Sequence, residues 1–283
     1  MLIVNTVKAL QEALQSYRSA NKKIGLVPTM GNLHQGHLQL VKTAKQHADV
    51  IIVTLFVNPT QFGANEDFDN YPRTFQVDCD KLEALSTDIL FAPTTDEMYP
   101  RGGDGTSHVH VPNITNVLCG ASRPGHFDGV TTIVCKLFNM TRADVAVFGE
   151  KDYQQLAVIR RMVEDLNIPI SIIGEPIIRE SDGLAMSSRN SYLSKEQRLL
   201  APKLHEVLHG IHQAISGGDY DFKTLQSTAT TKLSKLGFKP DYLHIYHRDN
   251  LRPAKKADKE LVIVAAAYLG STRLIDNLHV HCT

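Results

Sequence analysis

The chain has 283 residues, of which 42% are hydrophobic and 21% are charged, as in an ordinary globular protein. Thirty basic residues balance thirty acidic residues, and this zero formal net charge argues against nucleic acid as a partner. The four scattered cysteines do not suggest a disulfide framework, no signal-peptide pattern opens the chain, and the longest apolar run is too short to cross a bilayer, so we expect a cytoplasmic protein with no membrane partner.

Strand and helix patterns alternate along the first two thirds of the chain. The apolar runs at 23–27 and 50–57 predict strands, and the amphipathic stretch at 33–47 predicts a helix between them. The alternation continues with predicted strands at 88–92, 144–148 and 170–178 and predicted helices at 130–140 and 153–166. It predicts an α/β fold with a Rossmann-like parallel sheet that helices cover on both faces. Ligands of such sheets bind at the carboxyl ends of the strands.

The pattern changes after residue 180. Two helical patterns, at 195–216 and 224–236, are each ended by glycine. Three strand-like runs follow, at 242–246, 261–268 and 273–280. Helices followed by strands predict a smaller α+β unit, so we expect two domains, residues 1–180 and residues 181–283.

A first motif, at residues 28–37, follows a strand and opens a helix. His34 and His37 are three positions apart, so helical geometry predicts that both imidazoles lie on one face. Gly31 and Gly36 allow the backbone or a ligand to come close. Free amides and the positive end of the helix dipole would attract a polyphosphate, to which the imidazoles would donate hydrogen bonds. For this motif alone, histidines that pack or bind a metal are an equal alternative.

A second motif, at residues 183–190, offers two hydroxyls and a guanidinium in succession. Ser187, Ser188 and Arg189 would together donate several hydrogen bonds to phosphate. Taken alone, the segment is more typical of a polar loop before a helix. Ser194 already supplies the predicted cap of that helix, so the first two serines are not needed as caps.

The two motifs together resemble the His-x-Gly-His nucleotidyl-transfer superfamily, which includes the class I aminoacyl-tRNA synthetases. Five further segments resemble the pantothenate synthetase (pantoate–β-alanine ligase) family in order and spacing, namely residues 56–63, 71–74, 123–130, 148–156 and 272–277. The likeness covers nearly the whole chain and is weakest between residues 217 and 260. It implies that ATP activates the carboxylate of pantoate as an adenylate. The amine of β-alanine then displaces AMP, after pyrophosphate has left.

The resemblance also implies roles for individual residues. ATP contacts are expected from Met30, Gly31, Asn32, Leu33, His34, Gln35, Gly36, His37, Gly149, Glu150, Lys151, Asp152, Ile178, Met186, Ser187, Ser188 and Arg189. His37, with His34 beside it, would give a proton to the leaving pyrophosphate, a role that suits imidazole because its pKa is near neutrality. Gln61 would bind pantoate and β-alanine, and Gln155 would bind pantoate. For either glutamine, the alternative is an ordinary polar surface residue.

Mg²⁺ is expected as a cofactor because it bridges phosphate oxygens and withdraws their charge. Asp78 aligns with an acidic position on the metal side, but Val77 stands where some relatives carry a second acid. The metal would therefore be held mostly by ATP and water. His126 either shapes the pantoate pocket or is structural, and we interpret the tail at 279–282 as a frayed strand end rather than a chelator.

Family resemblance further implies a homodimer whose domain of residues 181–283 acts as a lid over the domain that binds ATP and pantoate. Two alternatives remain, another nucleotidyltransferase of the same superfamily and an ATP-binding module without turnover. Gln61 and Gln155 argue against the first, and the intact histidine pair argues against the second. All of these expectations require that the first and second motifs share one cleft.

Overall fold

A computed structural model of the chain describes residues 1–63, 66–103 and 105–282. Internal contacts divide the chain into two compact units, the first comprising Met1–Glu150 and Val158–Pro176, the second Lys151–Ala157 and Ile177–Thr283. The predicted domains, residues 1–180 and 181–283, stay a prediction, because compactness alone does not show that either part folds by itself. No helix within the described ranges is long and apolar enough to cross a membrane.

The first unit is built on a parallel sheet, which confirms the predicted α/β class. Its strands are β1 (Leu2–Val4), β2 (Ile24–Thr29), β3 (Val50–Leu55), β4 (Ile89–Phe91), β5 (Val145–Gly149) and β6 (Ser171–Glu175). They lie in the order β1-β4-β3-β2-β5-β6, and every neighbouring pair is parallel. The first five residues of β3 are all buried. A continuous apolar run therefore forms this strand because both of its faces are covered.

Helices connect these strands. They are α1 (Val7–Ser19), α2 (Gln35–His47), α3 (Phe75–Ala84), α4 (Thr95–Met98), α5 (Cys119–Ser122) and α6 (His126–Thr141), and α7 (Tyr153–Asp165) continues from the second unit into the first. Leu38, Val41 and Ala44 of α2 are buried in one core with residues of β2, β3 and β5. The pattern at 33–47 predicted this helix. The segments β1, α1, α3, α4 and α5 were not predicted.

The strand order places a switch point beside β2. From β2 the chain moves outward to β3 and β4, and it returns to the other side of β2 as β5 and β6. β2 and β5 are neighbours, with Gly25 opposite Val145. In open parallel sheets, ligands bind where the strand order reverses, at the carboxyl ends. The predicted ATP segments that begin at Met30 and Gly149 lie at these two strand ends.

The second unit contains an antiparallel sheet, as the predicted α+β pattern requires. The strands β7 (Lys239–His247), β8 (Glu260–Leu269) and β9 (Thr272–His281) lie in that order. The helices are α8 (Lys195–Leu200), α9 (Lys203–Ser216) and α10 (Phe222–Lys235). Leu208 of α9, Leu233 of α10 and Ile263 of β8 belong to one buried core. One face of the sheet is therefore covered by helices.

Two predictions for this unit were wrong. The helical pattern at 195–216 is interrupted between Leu200 and Lys203, because Pro202 lacks an amide hydrogen and its ring obstructs the preceding turn. The tail is not frayed, since His281 lies in β9 with its Nδ1 atom 2.5 Å from Oε1 of Glu260. Cys282 is also buried, and its amide donates to the carbonyl oxygen of Lys259.

Candidate active site

The two histidines of the first motif form a cap at the start of α2. His34 is the N-cap residue, with extended backbone angles (φ −123°, ψ 176°), so the prediction that both imidazoles lie on one helical face was wrong. The rings nevertheless meet, with centroids 4.1 Å apart. The Gly36 amide donates to Nδ1 of His34 (3.1 Å), and the His34 amide donates to Nδ1 of His37 (3.3 Å). Reciprocal capping, rather than helical periodicity, brings the pair together.

This cap assigns the ring protons. A nitrogen that accepts a hydrogen bond from a backbone amide carries no proton, so Nδ1 of His34 and Nδ1 of His37 are both unprotonated. Each neutral ring then carries its proton on Nε2. Both histidines can therefore donate a hydrogen bond from Nε2 to a phosphate oxygen.

Two glycines are required by this geometry. A Cβ atom at Gly36 would lie 2.8 Å from Cε1 of His34, closer than real contacts allow. Gly31 has φ +88°, in the left-handed region that L-residues disfavour. At Gly36 the missing side chain thus leaves room for the imidazole of His34, which packs against the backbone.

Asp78 holds the loop between β2 and α2. Its side chain is buried, and residue exposure is 1%. Oδ2 accepts from the Asn32 amide (2.8 Å) and from the Thr74 hydroxyl (3.0 Å), and Oδ1 accepts from the Leu33 amide (2.8 Å). Lys81 donates to the carbonyl oxygen of Leu33 from the same helix, α3. The carboxylate therefore fixes the backbone that leads into the histidine pair.

The carboxylate oxygens of Asp78 are thus engaged with hydrogen-bond donors, and its role beside a metal stays a prediction. Within the described residues, no group of three or more His, Cys, Asp or Glu side chains is placed to hold a metal ion. An all-protein Mg²⁺ site does not fit this donor set. No step of the chemistry below depends on a metal.

Gln61 lies at the end of the turn after β3, close to the first motif. Its Oε1 accepts from Asn58 Nδ2 (3.2 Å), and its Nε2 lies 3.3 Å from Sδ of Met30. Asn58 is buried, and its Oδ1 accepts from the Tyr99 hydroxyl (2.8 Å). Burial raises the pKa of the Tyr99 phenol, so the hydroxyl remains a donor. The structure thereby brings two predicted site residues, Met30 and Gln61, together at the carboxyl edge of the sheet.

The second unit brings together two other predicted segments. Lys151 and Ser187 line one small cavity, together with Asn190 and Asp276. Two predicted ATP-binding positions that are 36 residues apart in the sequence are therefore neighbours within this unit. Nζ of Lys151 also lies 3.6 Å from Oδ2 of Asp152, so this acid is placed to orient the lysine.

The serine–arginine segment has a defined conformation. Ser187 caps a 3₁₀ turn (Ser188–Tyr192), and its Oγ accepts from the Arg189 amide at 3.3 Å. The expectation that Ser187 is not needed as a cap was therefore wrong, since the sequence pattern did not reveal this short turn. The Met186 amide donates to the carbonyl oxygen of Ile178, so these two predicted ATP positions are neighbours. The cap predicted at Ser194 is confirmed.

Strand β9 supports both of these segments. Asn277 Nδ2 donates to the carbonyl oxygen of Lys151 (3.1 Å), and Asp276 forms a forked pair with Arg179 (2.8 Å for each bond). Arg179 also donates to the carbonyl oxygen of Gly183, three residues before Met186. Burial alone would raise the pKa of the Asp276 carboxyl, but the hydrogen bonds and charges of His205 and Arg179 hold that pKa below its ordinary value.

Sequence reasoning missed the residues that hold the site rather than form it. Asn58, Tyr99 and Asp276 are polar and buried, but their positions in the sequence do not reveal their partners. For Asn58 and Asp276 the available signal was membership of the segments at 56–63 and 272–277, whereas Tyr99 lies in neither segment. Gln155 lies on α7 and is partly exposed. Because His37 and Ser187 belong to different units, the single cleft expected for the two motifs stays a prediction.

Comparisons with known proteins agree over the whole length of the chain. The family model described as pantoate-beta-alanine ligase matches residues 2–279. A curated pantothenate synthetase of Pseudomonas putida (strain W619) is 57% identical over 281 residues, which cover 99% of this chain and 98% of that protein. The crystal structure of pantothenate synthetase from Thermus thermophilus matches with a TM-score of 0.93 at 42% identity, over 99% of this chain and 100% of that chain. Pantoate-beta-alanine ligase from Francisella tularensis, complexed with beta-gamma ATP and beta-alanine, matches with a TM-score of 0.81 at 37% identity, over 98% and 97% of the two chains.

Proposed function

Because the chain belongs to the pantoate–β-alanine ligase family and joins pantoate to β-alanine with ATP as substrate, we propose that it does so through an enzyme-held pantoyl adenylate. A carboxylate is a poor electrophile with a poor leaving group. An oxygen of the pantoate carboxylate attacks the α-phosphorus, and the bond from that phosphorus to the bridging oxygen breaks as pyrophosphate leaves. The β-alanine amine then attacks the acyl carbon. AMP departs with the electron pair of the carbon–oxygen bond, and the amine loses a proton.

His37 is the proton donor to pyrophosphate in this proposal, and His34 is a second donor beside it. The supporting observation is the reciprocal cap, in which both Nδ1 atoms accept backbone amides, so that Nε2 is the donor atom of each neutral ring. The proton that is transferred to pyrophosphate is the second proton of the ring, which only the imidazolium form carries. Two imidazolium ions with centroids 4.1 Å apart would repel one another, so before ATP binds the pair favours at most one positive charge. A bound triphosphate supplies negative charge and offsets this repulsion. The pair is thus most able to hold a transferable proton when its substrate is present.

The remaining ATP contacts are proposed from the segments that carry the family motifs. These are Met30, Gly31, Asn32, Leu33, Gln35, Gly36, Gly149, Glu150, Lys151, Asp152, Ile178, Met186, Ser187, Ser188 and Arg189. The proximity of Lys151 and Ser187, which line one small cavity, supports the part of this proposal that assigns both residues to ATP. Gln61 is proposed to bind pantoate and β-alanine, and Gln155 is proposed to bind pantoate. An amide suits this task because it both donates and accepts.

Further proposals concern the metal, the assembly and the location. Mg²⁺ would be bound mainly by the ATP phosphates and water and would withdraw charge from the phosphate oxygens, which a shift of the ATP titration curve with Mg²⁺ concentration tests. The active protein is a homodimer, which sedimentation at working concentration tests. It lies in the cytoplasm, where cell fractionation should find it. The domain of residues 181–283 acts as a lid over ATP.

Exchange of labelled pyrophosphate into ATP tests the adenylate directly. We expect exchange that requires pantoate and does not require β-alanine. Another nucleotidyltransferase would exchange with a different acceptor, and a module without turnover would not exchange at all. Exchange that appears only when β-alanine is added would overturn the adenylate, because both acceptors would then be needed for phosphorus–oxygen cleavage.

A matched pair of variants tests the proton donor. His37→Ala should abolish exchange, since the loss of one such donor typically costs about 10²–10³ in rate. His47→Ala changes an exposed histidine of the same helix and should exchange normally. Near-normal turnover by His37→Ala would remove the role assigned to this residue.

A further inference from the structure

The carbonyl oxygen of Gln61 is held from a second helix. His126 Nδ1 lies 2.7 Å from this oxygen, and Arg123 Nη2 lies 3.4 Å from it. We propose that His126 is a positioning residue, which Arg123 holds in one tautomer so that it fixes the backbone of Gln61 and aims the side-chain amide at its substrates. This inference rests on the role proposed above for Gln61.

Arg123 determines where the ring proton of His126 lies. The two residues meet through Nη1 of the arginine and Nε2 of the histidine, 3.0 Å apart. A guanidinium group only donates, so Nε2 must accept and the proton must lie on Nδ1. The Nδ1–H group then donates to the carbonyl oxygen of Gln61. A proton on Nε2 would instead point at the guanidinium group, which cannot accept it.

Glu66 keeps the guanidinium in position. Its Oε1 accepts from Arg123 Nε (2.6 Å), and its Oε2 accepts from Nη2 (2.5 Å). Burial alone would raise the pKa of the Glu66 carboxyl, but the hydrogen bonds and charge of Arg123 outweigh burial and hold that pKa below its ordinary value. The pair is therefore charged at neutral pH. A guanidinium fixed by this two-pronged contact cannot turn away from the histidine ring.

The turn that carries Gln61 needs such support. It is a 3₁₀ turn (Pro59–Gln61), a type of structure with poor hydrogen-bond geometry. Helix α6 presses directly on it, since a Cβ atom at Gly129 would lie 2.3 Å from the carbonyl oxygen of Thr60. His126 is the first residue of this helix and lies one turn before Gly129. The helix thus positions the turn at two places, by backbone contact and by the histidine.

Three substitutions separate the two contacts of His126. His126→Asn can keep a donor near the position of Nδ1, His126→Gln can keep a polar group near Nε2, and His126→Leu keeps neither. We expect His126→Leu to lower kcat/KM for pantoate by roughly 10-fold to 10²-fold and to leave KM for ATP within about twofold. His126→Asn should recover most of the loss, and His126→Gln should not. His108→Leu, at an exposed loop histidine, is the matched control.

A double-mutant cycle with Gln61→Ala tests the route of the effect. This substitution keeps the backbone carbonyl and removes only the amide that His126 is proposed to aim. In the Gln61→Ala background, His126→Leu should therefore change kcat/KM by less than about twofold. Losses that multiply would overturn the inference and leave the role of Gln61 intact.

The remaining outcomes are also decisive. If Gln61→Ala alone keeps full activity, the proposed function of Gln61 fails, and the inference fails with it. If His126→Gln recovers activity and His126→Asn does not, the contact with Arg123 is the essential one and the positioning role is overturned. Thermal unfolding of each variant, followed by circular dichroism, shows whether a loss of activity reflects a loss of fold.

Discussion

Replacing the carboxylate of Asp78 with an amide gives the clearest test of the loop that leads into the histidine pair. All three groups that reach this carboxylate are donors, namely the amides of Asn32 and Leu33 and the hydroxyl of Thr74. In Asp78→Asn, the new NH₂ group must face one of the two backbone amides. The Thr74 hydroxyl can rotate and accept, but a backbone amide cannot. One buried N–H group is therefore left without an acceptor.

The size of the effect follows from these contacts. A hydrogen bond to a charged acceptor contributes roughly 1.5–3 kcal/mol, and the second amide loses the extra strength that the charge supplied. Because Asp78 is 1% exposed, water cannot replace the lost acceptor. We expect the free energy of unfolding to fall by about 2–4 kcal/mol. Urea titration followed by far-ultraviolet circular dichroism measures this, since the chain has no tryptophan.

The control variant and Asp78→Asn are both measured by the same urea titration, without ATP and without Mg²⁺. Asp80→Asn changes an exposed carboxylate of the same helix that accepts from Gln76 (2.8 Å), and it should change the free energy of unfolding by less than about 0.5 kcal/mol. If Asp78 serves instead as a metal ligand, Asp78→Asn should unfold like the parent protein in the absence of metal and require more Mg²⁺ for activity. That combination would show that the loop-holding argument is wrong.

Three further predictions concern the site and its support. Gly36→Ala should lower pyrophosphate exchange about 10²-fold, because the new methyl group displaces the ring of His34; normal exchange would contradict this. Arg179→Met should lower the free energy of unfolding by about 3–5 kcal/mol at pH 7 by depriving the buried Asp276 of its forked arginine partner. Pairing lowers the pKa of the Asp276 carboxyl, so the carboxylate stabilises the parent protein above pH 3.8, the ordinary pKa of an aspartate. This stabilisation is lost as the pH falls through the lower pKa of the folded state. The difference in unfolding free energy between the parent protein and Arg179→Met should therefore shrink in acid. Urea titrations from pH 7 to about pH 2 measure this, and a difference that grows in acid would refute it. Tyr99→Phe removes the hydroxyl that holds the buried asparagine beside the substrate glutamine, so it should destabilise by about 1 kcal/mol and raise KM for pantoate in steady-state assays; an unchanged KM would remove that link.

Periodicity and family resemblance predicted the fold class, the family and the activity, and each of these is confirmed. The apolar run at 50–57 was a reliable guide because burial on both faces leaves no polar alternation. Prediction failed where one residue overrides a pattern. Pro202 interrupts an otherwise continuous amphipathic stretch, and Ser187 caps a turn too short to have a period of its own.

The residues that hold the site in place could not be predicted from the sequence for a different reason. Asp78 and the loop amides it accepts from are separated by more than 40 residues in sequence, and Gln61 and His126 are 65 apart. Such pairs are determined by the packing of helices on the sheet, which a single sequence does not encode in any local pattern. The residues that would contact substrate lie in short motifs, whereas the residues that hold them are dispersed along the chain.

The imidazole cap of α2 has a consequence for how this enzyme tolerates change. Histidine is not among the residue types that best begin a helix, a position where serine, aspartate and asparagine are preferred by about 1 kcal/mol. Selection for thermal stability alone would therefore favour replacing His34 by one of these residues. The same substitution would remove a hydrogen-bond donor to the triphosphate. At position 34, a substitution that raises thermal stability would therefore lower the turnover rate. Stabilising substitutions should leave His34 unchanged and be made instead in helices α9 and α10 of the second unit.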